Sequence, residues 1–285
     1  MHDLTDLGHR LRASFVGRCV GTFAGMQGID RAMVIASQAF TALIPLLILT
    51  SALAPVGSEN GVSDAIVRKF ALGGDAAAAV RQVFAHRGEG STGALSVLLL
   101  VFSGFALARR MQRMYQQAWR LDAAAGVRGS VNAALGLGVL LIELALLALA
   151  RTLVRGLPLD GVLGFTVSAL AGIALWTSIP WLLLDRRLPW RQLVPAGVLA
   201  SASTAVYGVA TTVYMPRLIE SYSQRYGLFG VTLALVGWLL AVSLIVVGAA
   251  VVAAELARAQ DPWARRLRVR LRLEDAHSDG AVRDG

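Results

Sequence analysis

A chain of 285 residues that is 56% apolar, with a mean hydropathy of +0.61 and a formal net charge of +9, is too apolar for an ordinary soluble domain. No hydrophilic stretch exceeds about 40 residues, which leaves no room for a separate water-soluble catalytic domain. Cys19 stands alone, which excludes an intramolecular disulfide, and His2, His9, His86 and His277 are too scattered for a metal-ligand spacing, so neither a metal nor another cofactor is expected.

The first thirty residues carry Asp3, Asp6, Arg10, Arg12 and Arg18 and lack an uninterrupted apolar core, so no cleavable signal peptide is expected. Gly17, Gly21 and Gly25 recur at i, i+4 and i+8. Residues 1–31 therefore read as a cytoplasmic segment that either lies at the interface as a helix or stays flexible. Six apolar blocks follow between residues 32 and 255, at about 32–56, 93–108, 131–150, 162–184, 193–215 and 228–255. Their apolar runs are continuous and do not alternate at every second residue. Helices, which satisfy their own backbone in lipid, are expected rather than barrel strands. The fold class is an all-α polytopic bundle of about six spans.

In the first block Gln38 and Pro45 interrupt the apolar pattern. Pro45 removes a backbone donor and frees the carbonyl of Thr41, so a kink is expected that Thr41 or Ser37 can compensate. Gln38 should face other helices, for an interhelical hydrogen bond or for a substrate path. The second block is short and is expected to continue as helix into the arginine-rich segment behind it. There Met111, Met114, Tyr115 and Ala118 fall at i, i+3, i+4 and i+7 while Arg109, Arg110 and Arg113 take other directions, as in a helix lying along the membrane surface with Trp119 at headgroup depth.

Glu143 is the acidic residue well inside a span, among Leu140, Leu141, Leu144 and Leu147. A bare carboxylate there costs roughly 2.5 kcal/mol or more, so it should be protonated, paired or open to a polar cavity. It either lies on a functional path or bonds across helices to Gln38 or to the Thr177-Ser178 pair. Pro180 should bend the fourth span, with Trp176 and Trp181 marking the interface. In the fifth, Gly197, Ser201, Thr204, Gly208 and Thr211 share one small, hydroxylic face that packs closely or lines a polar groove. The last span starts at Tyr226-Gly227 and has Gly237, Ala241 and Gly248 along one side; Glu255, near its end, reads as solvated. Residues 256–285 form a tail that is first basic, with Arg265, Arg266, Arg268 and Arg270 suited to anionic lipid, and then disordered.

With the N-terminus inside, about 19 of the 27 basic residues fall on the inner face and about 8 on the outer, so both termini are expected in the cytoplasm. That asymmetry also accounts for the basic charge without nucleic acid. Lys69 is the only lysine and no phosphate-binding glycine loop precedes it, no G-x-S-x-G elbow occurs, and no carboxylates cluster in the short inner loops. No catalytic residue is visible, and the chain is expected not to be an enzyme.

The string from Ala36 to Leu47, Ala-x-x-Ala-Phe-x-x-Leu-x-Pro-Leu-Leu, resembles the YihY/virulence factor BrkB family of bacterial inner-membrane proteins. The stretch from Tyr115 to Trp119 is similar too, with Gln116 where an asparagine is commoner, and so are Tyr226-Gly227, Trp238 and Gly248. The sequence departs from the family where Ala249 and Ala250 follow Gly248 in place of an acidic residue. The resemblance implies a six-span protein of the plasma (inner) membrane with cytoplasmic termini. Members have carried the label ribonuclease BN, serum-resistance associations, and suggestions of solute transport and lipid handling. The leading expectation is a non-enzymatic protein that moves or handles a lipid or other amphiphile, with Gln38, Pro45, Glu143, Ser201, Thr204 and Thr211 along its path. The rival is a scaffold for envelope protein partners; a ribonuclease is the weakest reading, because the inner loops offer mainly arginines. Membrane lipids are the expected partners, and the oligomeric state is left open.

Overall fold

The computed structural model describes residues 14–52, 90–122, 129–136 and 160–262, together with residues 64, 67, 74, 77, 78, 138, 139, 142, 143, 146, 264 and 266. Among them every regular element is helical: α1 (Phe15–Gly25), α2 (Gly28–Ala52), α3 (Gly90–Ala118), α4 (Asp160–Leu183), α5 (Trp190–Tyr226) and α6 (Leu228–Arg258). Residues 129–136, 142, 143 and 146 are helical as well.

Helix α1 starts where Ser14 caps it, its hydroxyl accepting from the Gly17 amide at 3.1 Å. Of the segment 1–31, residues 15–25 are thus helical, and residues 1–13 lie outside the described residues. Gln27, with φ 55°, makes the turn into α2. Helices α3 and α4 end alike. After α3 the Leu121 amide reaches the Gln116 carbonyl at 2.8 Å with Arg120 at φ 53°; after α4 the Arg186 amide reaches the Trp181 carbonyl at 3.0 Å with Asp185 at φ 60°. Both are left-handed helix stops of the kind glycine usually makes, formed here by charged residues.

α6 is the hub of the bundle, packed on α5, α2 and α1; α2 packs on α3, and α4 on α5. Glycines set the α4–α5 approach. A Cβ on Gly197 would overlap the Thr177 hydroxyl and lie 3.0 Å from the Ile173 carbonyl, and one on Gly172 would lie 2.6 Å from the Ser201 hydroxyl. At Gly208, on the same face, nothing stands within 4 Å, nor at Gly237 and Gly248 in α6, so close packing holds for only part of the glycine pattern.

Among the described residues the core has two main clusters, with a small third one of Leu256, Ala259 and Ala264 at and just beyond the end of α6. One cluster gathers Ala32, Met114, Tyr115, Ala118, Leu183, Leu193, Val247 and Ala254; the other, toward the α5–α6 turn, gathers Ala77, Met215, Ile219, Val231 and Ala234. Between them the helices turn large apolar side chains outward, with Phe102, Phe165, Val206 and Val209 each 70% exposed or more. A soluble protein rarely shows such a surface; lipid would cover it.

The first cluster lies at the end where the arginines meet. Gln112 Nε2 donates to the Leu183 carbonyl at 2.8 Å, Arg187 to the Asp122 carbonyl at 3.0 Å and Arg258 to the Ala118 carbonyl at 3.0 Å. These bonds join the segment after α3, the α4–α5 connection and the end of α6. The stripe of Met114, Tyr115 and Ala118 is therefore buried in protein rather than laid on a membrane surface, and Trp119, 9% exposed, joins it.

α5 has 37 residues and so is about 55 Å long, against about 30 Å of hydrocarbon. It runs 11 residues beyond the span expected to end at 215, and Pro195 and Pro216 lie within it.

Candidate functional site

Ser178 donates its hydroxyl to one oxygen of Glu143 at 2.7 Å, while the other carboxylate oxygen is buried with no hydrogen-bond partner among the described residues. Ser178 projects from α4 one residue after Thr177, which sits against Gly197 of α5. On that face of α5 follow Ser201, Thr204, Tyr207, Thr211 and Tyr214. Thr204 and Thr211 each donate back to their own helix, to the Ala200 carbonyl at 2.6 Å and the Tyr207 carbonyl at 2.7 Å. Their hydrogens are thus spent on the backbone, and these two threonines offer acceptors rather than free donors. Tyr207 and Tyr214 join hydroxyl to hydroxyl. These two tyrosines were absent from the sequence-derived path although their spacing of seven continues its face.

Gln38 is half-buried in α2, and its side chain bonds no described residue. Thr41 donates to the Ser37 carbonyl at 3.0 Å, and the helix continues through Pro45. The structure therefore joins Glu143 to Ser178, and not to Gln38.

A second group occupies the basic end. Glu255, expected to be solvated, is 4% exposed. Its carboxylate accepts from Thr22 of α1 at 2.7 Å and from Arg258 at 2.9 Å, and Arg120 approaches to 3.8 Å. Arg18 pairs with Asp261 beside it. Burial pushes the Cys19 thiol above its ordinary pKa, and the Glu255 charge adds to the rise, against Arg18 and Arg258. The residues Gly17, Gly21 and Gly25 line a groove of about 670 Å³ here, with Glu255 and Arg120 on its other wall. Sequence reasoning missed Glu255 because its partners are remote in the chain. The i, i+3 arginine, Arg258, was the local signal.

Arg109, Arg110 and Arg113 line a neighbouring recess of about 590 Å³ between α2 and α3. Arg266 is exposed, and Arg265, Arg268 and Arg270 lie outside the described residues.

Three of the described helices are long and apolar enough to cross a membrane: Leu163–Leu183, Trp190–Tyr226 and Phe229–Arg258. With lipid-type side chains facing outward between two packed ends, this architecture defines a polytopic α-helical membrane protein. The particular family follows from comparison with known sequences: the family model Virulence factor BrkB matches residues 20–270, and the chain belongs to that family. No curated protein and no solved structure matches it.

Proposed function

We propose that this protein is a non-enzymatic, multi-pass protein of the bacterial inner membrane that moves or handles a lipid or other amphiphile, with its arginine-rich end and both termini in the cytoplasm. One observation carries the reading: a carboxylate in an apolar segment, flanked by exposed Ile142 and Leu146, keeps one buried oxygen without a partner among the described residues. An unsatisfied buried acceptor costs about 1–3 kcal/mol, and a purely structural interhelical bond would leave no reason to keep it. A polar headgroup passing along α4 and α5 would meet Glu143 first and then the hydroxylic stripe from Ser201 to Thr211. Gln38 and Pro45 of α2 remain on the proposed path.

The excess of about 19 basic residues over about 8 supports the orientation, and the described helix ends that carry Arg109, Arg110, Arg113, Arg187 and Arg258 are tied together by the bonds at Leu183, Asp122 and Ala118. Membrane lipids are the proposed partners. A scaffold reading draws support from α5, which at about 55 Å outruns the bilayer and exposes Tyr226 near its end to a possible envelope protein. Movement of a fluorescent phospholipid between leaflets separates the two. Liposomes holding the purified chain should exchange it faster than empty vesicles; equal rates would leave the scaffold as the better reading.

A further inference from the structure

We propose that the recess between the start of α2 and the basic end of α3 binds the phosphate of an anionic phospholipid headgroup through Arg31, Arg109 and Arg113. The proposal rests on the amphiphile-handling function and names the substrate class. It goes beyond general attraction to acidic lipid, because the residues form a built site.

Arg109 and Arg113 stand one turn apart on α3, so their side chains leave the same face, with Arg110 beside them and Arg31 opposite on α2. None of these four guanidinium groups pairs with a carboxylate among the described residues. Asp30, the single acid in the lining, bonds none of them and occupies the first turn of α2, where the helix dipole stabilises it. Four like charges around one recess repel each other, and an anion bound among them offsets that repulsion.

Two side chains are already set for such a ligand. Arg31 Nε donates to the Met26 carbonyl at 3.0 Å, which orients its guanidinium while leaving the terminal nitrogens for a second partner. Gln116 is only 5% exposed, lines the recess and has no side-chain hydrogen bond with a described residue. Its amide is open to the recess, where the oxygen of a ligand can take its donors. The volume of about 590 Å³ lies in the range of small-molecule pockets.

Inorganic phosphate and a lipid headgroup share this chemistry. The α2 wall favours the lipid, since Val34 borders the recess at 42% exposed and Ile29 and Met33 extend an exposed apolar surface beside it, where acyl chains would lie. Basic recesses between spans at a cytoplasmic face are suited to acidic headgroups.

The test uses the purified full-length chain in a non-ionic detergent, titrated with dihexanoyl-phosphatidylglycerol, dihexanoyl-phosphatidylcholine or inorganic phosphate while its thermal unfolding is followed. The expected result is a saturable rise in unfolding temperature with phosphatidylglycerol. That response should weaken at least tenfold in apparent affinity in R109Q/R113Q and in Arg31→Gln, and be unchanged in Arg225→Gln, an exposed arginine at the far end of α5. Variants enter the comparison when they elute at the native volume, and two independent substitution sites keep the test alive if one fails to fold. Equal binding of phosphatidylcholine, or native affinity in both recess variants, would overturn the site. Inorganic phosphate binding as tightly as phosphatidylglycerol would overturn the lipid assignment in favour of a free-anion site. Headgroup binding without leaflet exchange in liposomes would defeat the movement reading alone, and exchange with unaltered binding in the variants would defeat the recess alone.

Discussion

Glu255 holds together three parts of the chain, since Thr22, Arg258 and Arg120, just after α3, all converge on it. Its side chain is 5% exposed and that of Arg258 29%, so removing the charge strands a cation that is itself mostly buried. Glu255→Gln should lower stability by about 1–3 kcal/mol in detergent unfolding. Arg120→Gln should change it by less than about 0.5 kcal/mol, because that arginine is 69% exposed and 3.8 Å away. Equal losses in the two variants would contradict this ranking. Cys19 reports on the same cluster. Burial and then the Glu255 charge raise its pKa, so less thiolate is present at a given pH than for an ordinary thiol near about 8.5. Its iodoacetamide alkylation should reach half-maximal rate at a pH above that value, and Glu255→Gln, by removing a group that disfavours the thiolate, should shift the midpoint down. A midpoint that stays put or rises would show that the carboxylate does not act on the thiol. Cys19 and Glu255 are 236 positions apart, which is why the sequence showed a lone cysteine and a helix-end acid and not their meeting.

Among the elements, α5 separates two uses of small residues that look identical in sequence. Gly197 is pressed against Thr177 and Ile173, whereas Gly208, three turns on along the same stripe, has open space. Gly197→Ala should therefore cost about 1–3 kcal/mol by overpacking, while Gly208→Ala should be neutral or gain up to about 1 kcal/mol from helix propensity. Thermal unfolding of the two variants decides, and a harmless Gly197→Ala would remove the close α4–α5 approach. The amphipathic stretch of α3 holds a parallel lesson. The spacing of Met111, Met114, Tyr115 and Ala118 correctly marks one apolar face on a helix continuous with the preceding apolar block. Periodicity says that this face is buried but not whether lipid or protein buries it, and here α6 and the end of α4 do. Helix ends were hidden for a related reason, because Arg120 and Asp185 occupy left-handed positions where a glycine would have advertised the stop.

For the whole molecule, the helical class, the membrane character and the family were legible from continuous apolar runs and from the string between Ala36 and Leu47, while the division of the core into separate packed clusters was not, since it arises from contacts between helices far apart in the chain. The orientation proposed from arginine counts is open to direct test in a Cys19→Ala background. A cysteine replacing Arg187 should react with an impermeant maleimide only after the membrane is opened, and one replacing Tyr226 should react in intact cells; the reverse pattern would invert the bundle. The path through Glu143 requires more, because the carboxylate has to take part in passage and not merely hold Ser178. Leaflet exchange of a fluorescent phospholipid should be measured in liposomes with equal amounts of folded native chain or Glu143→Ala, beside empty vesicles. The account predicts protein-dependent exchange that falls at least tenfold in the variant, whereas exchange at the native rate in Glu143→Ala, or none above empty vesicles with the native chain, would contradict it.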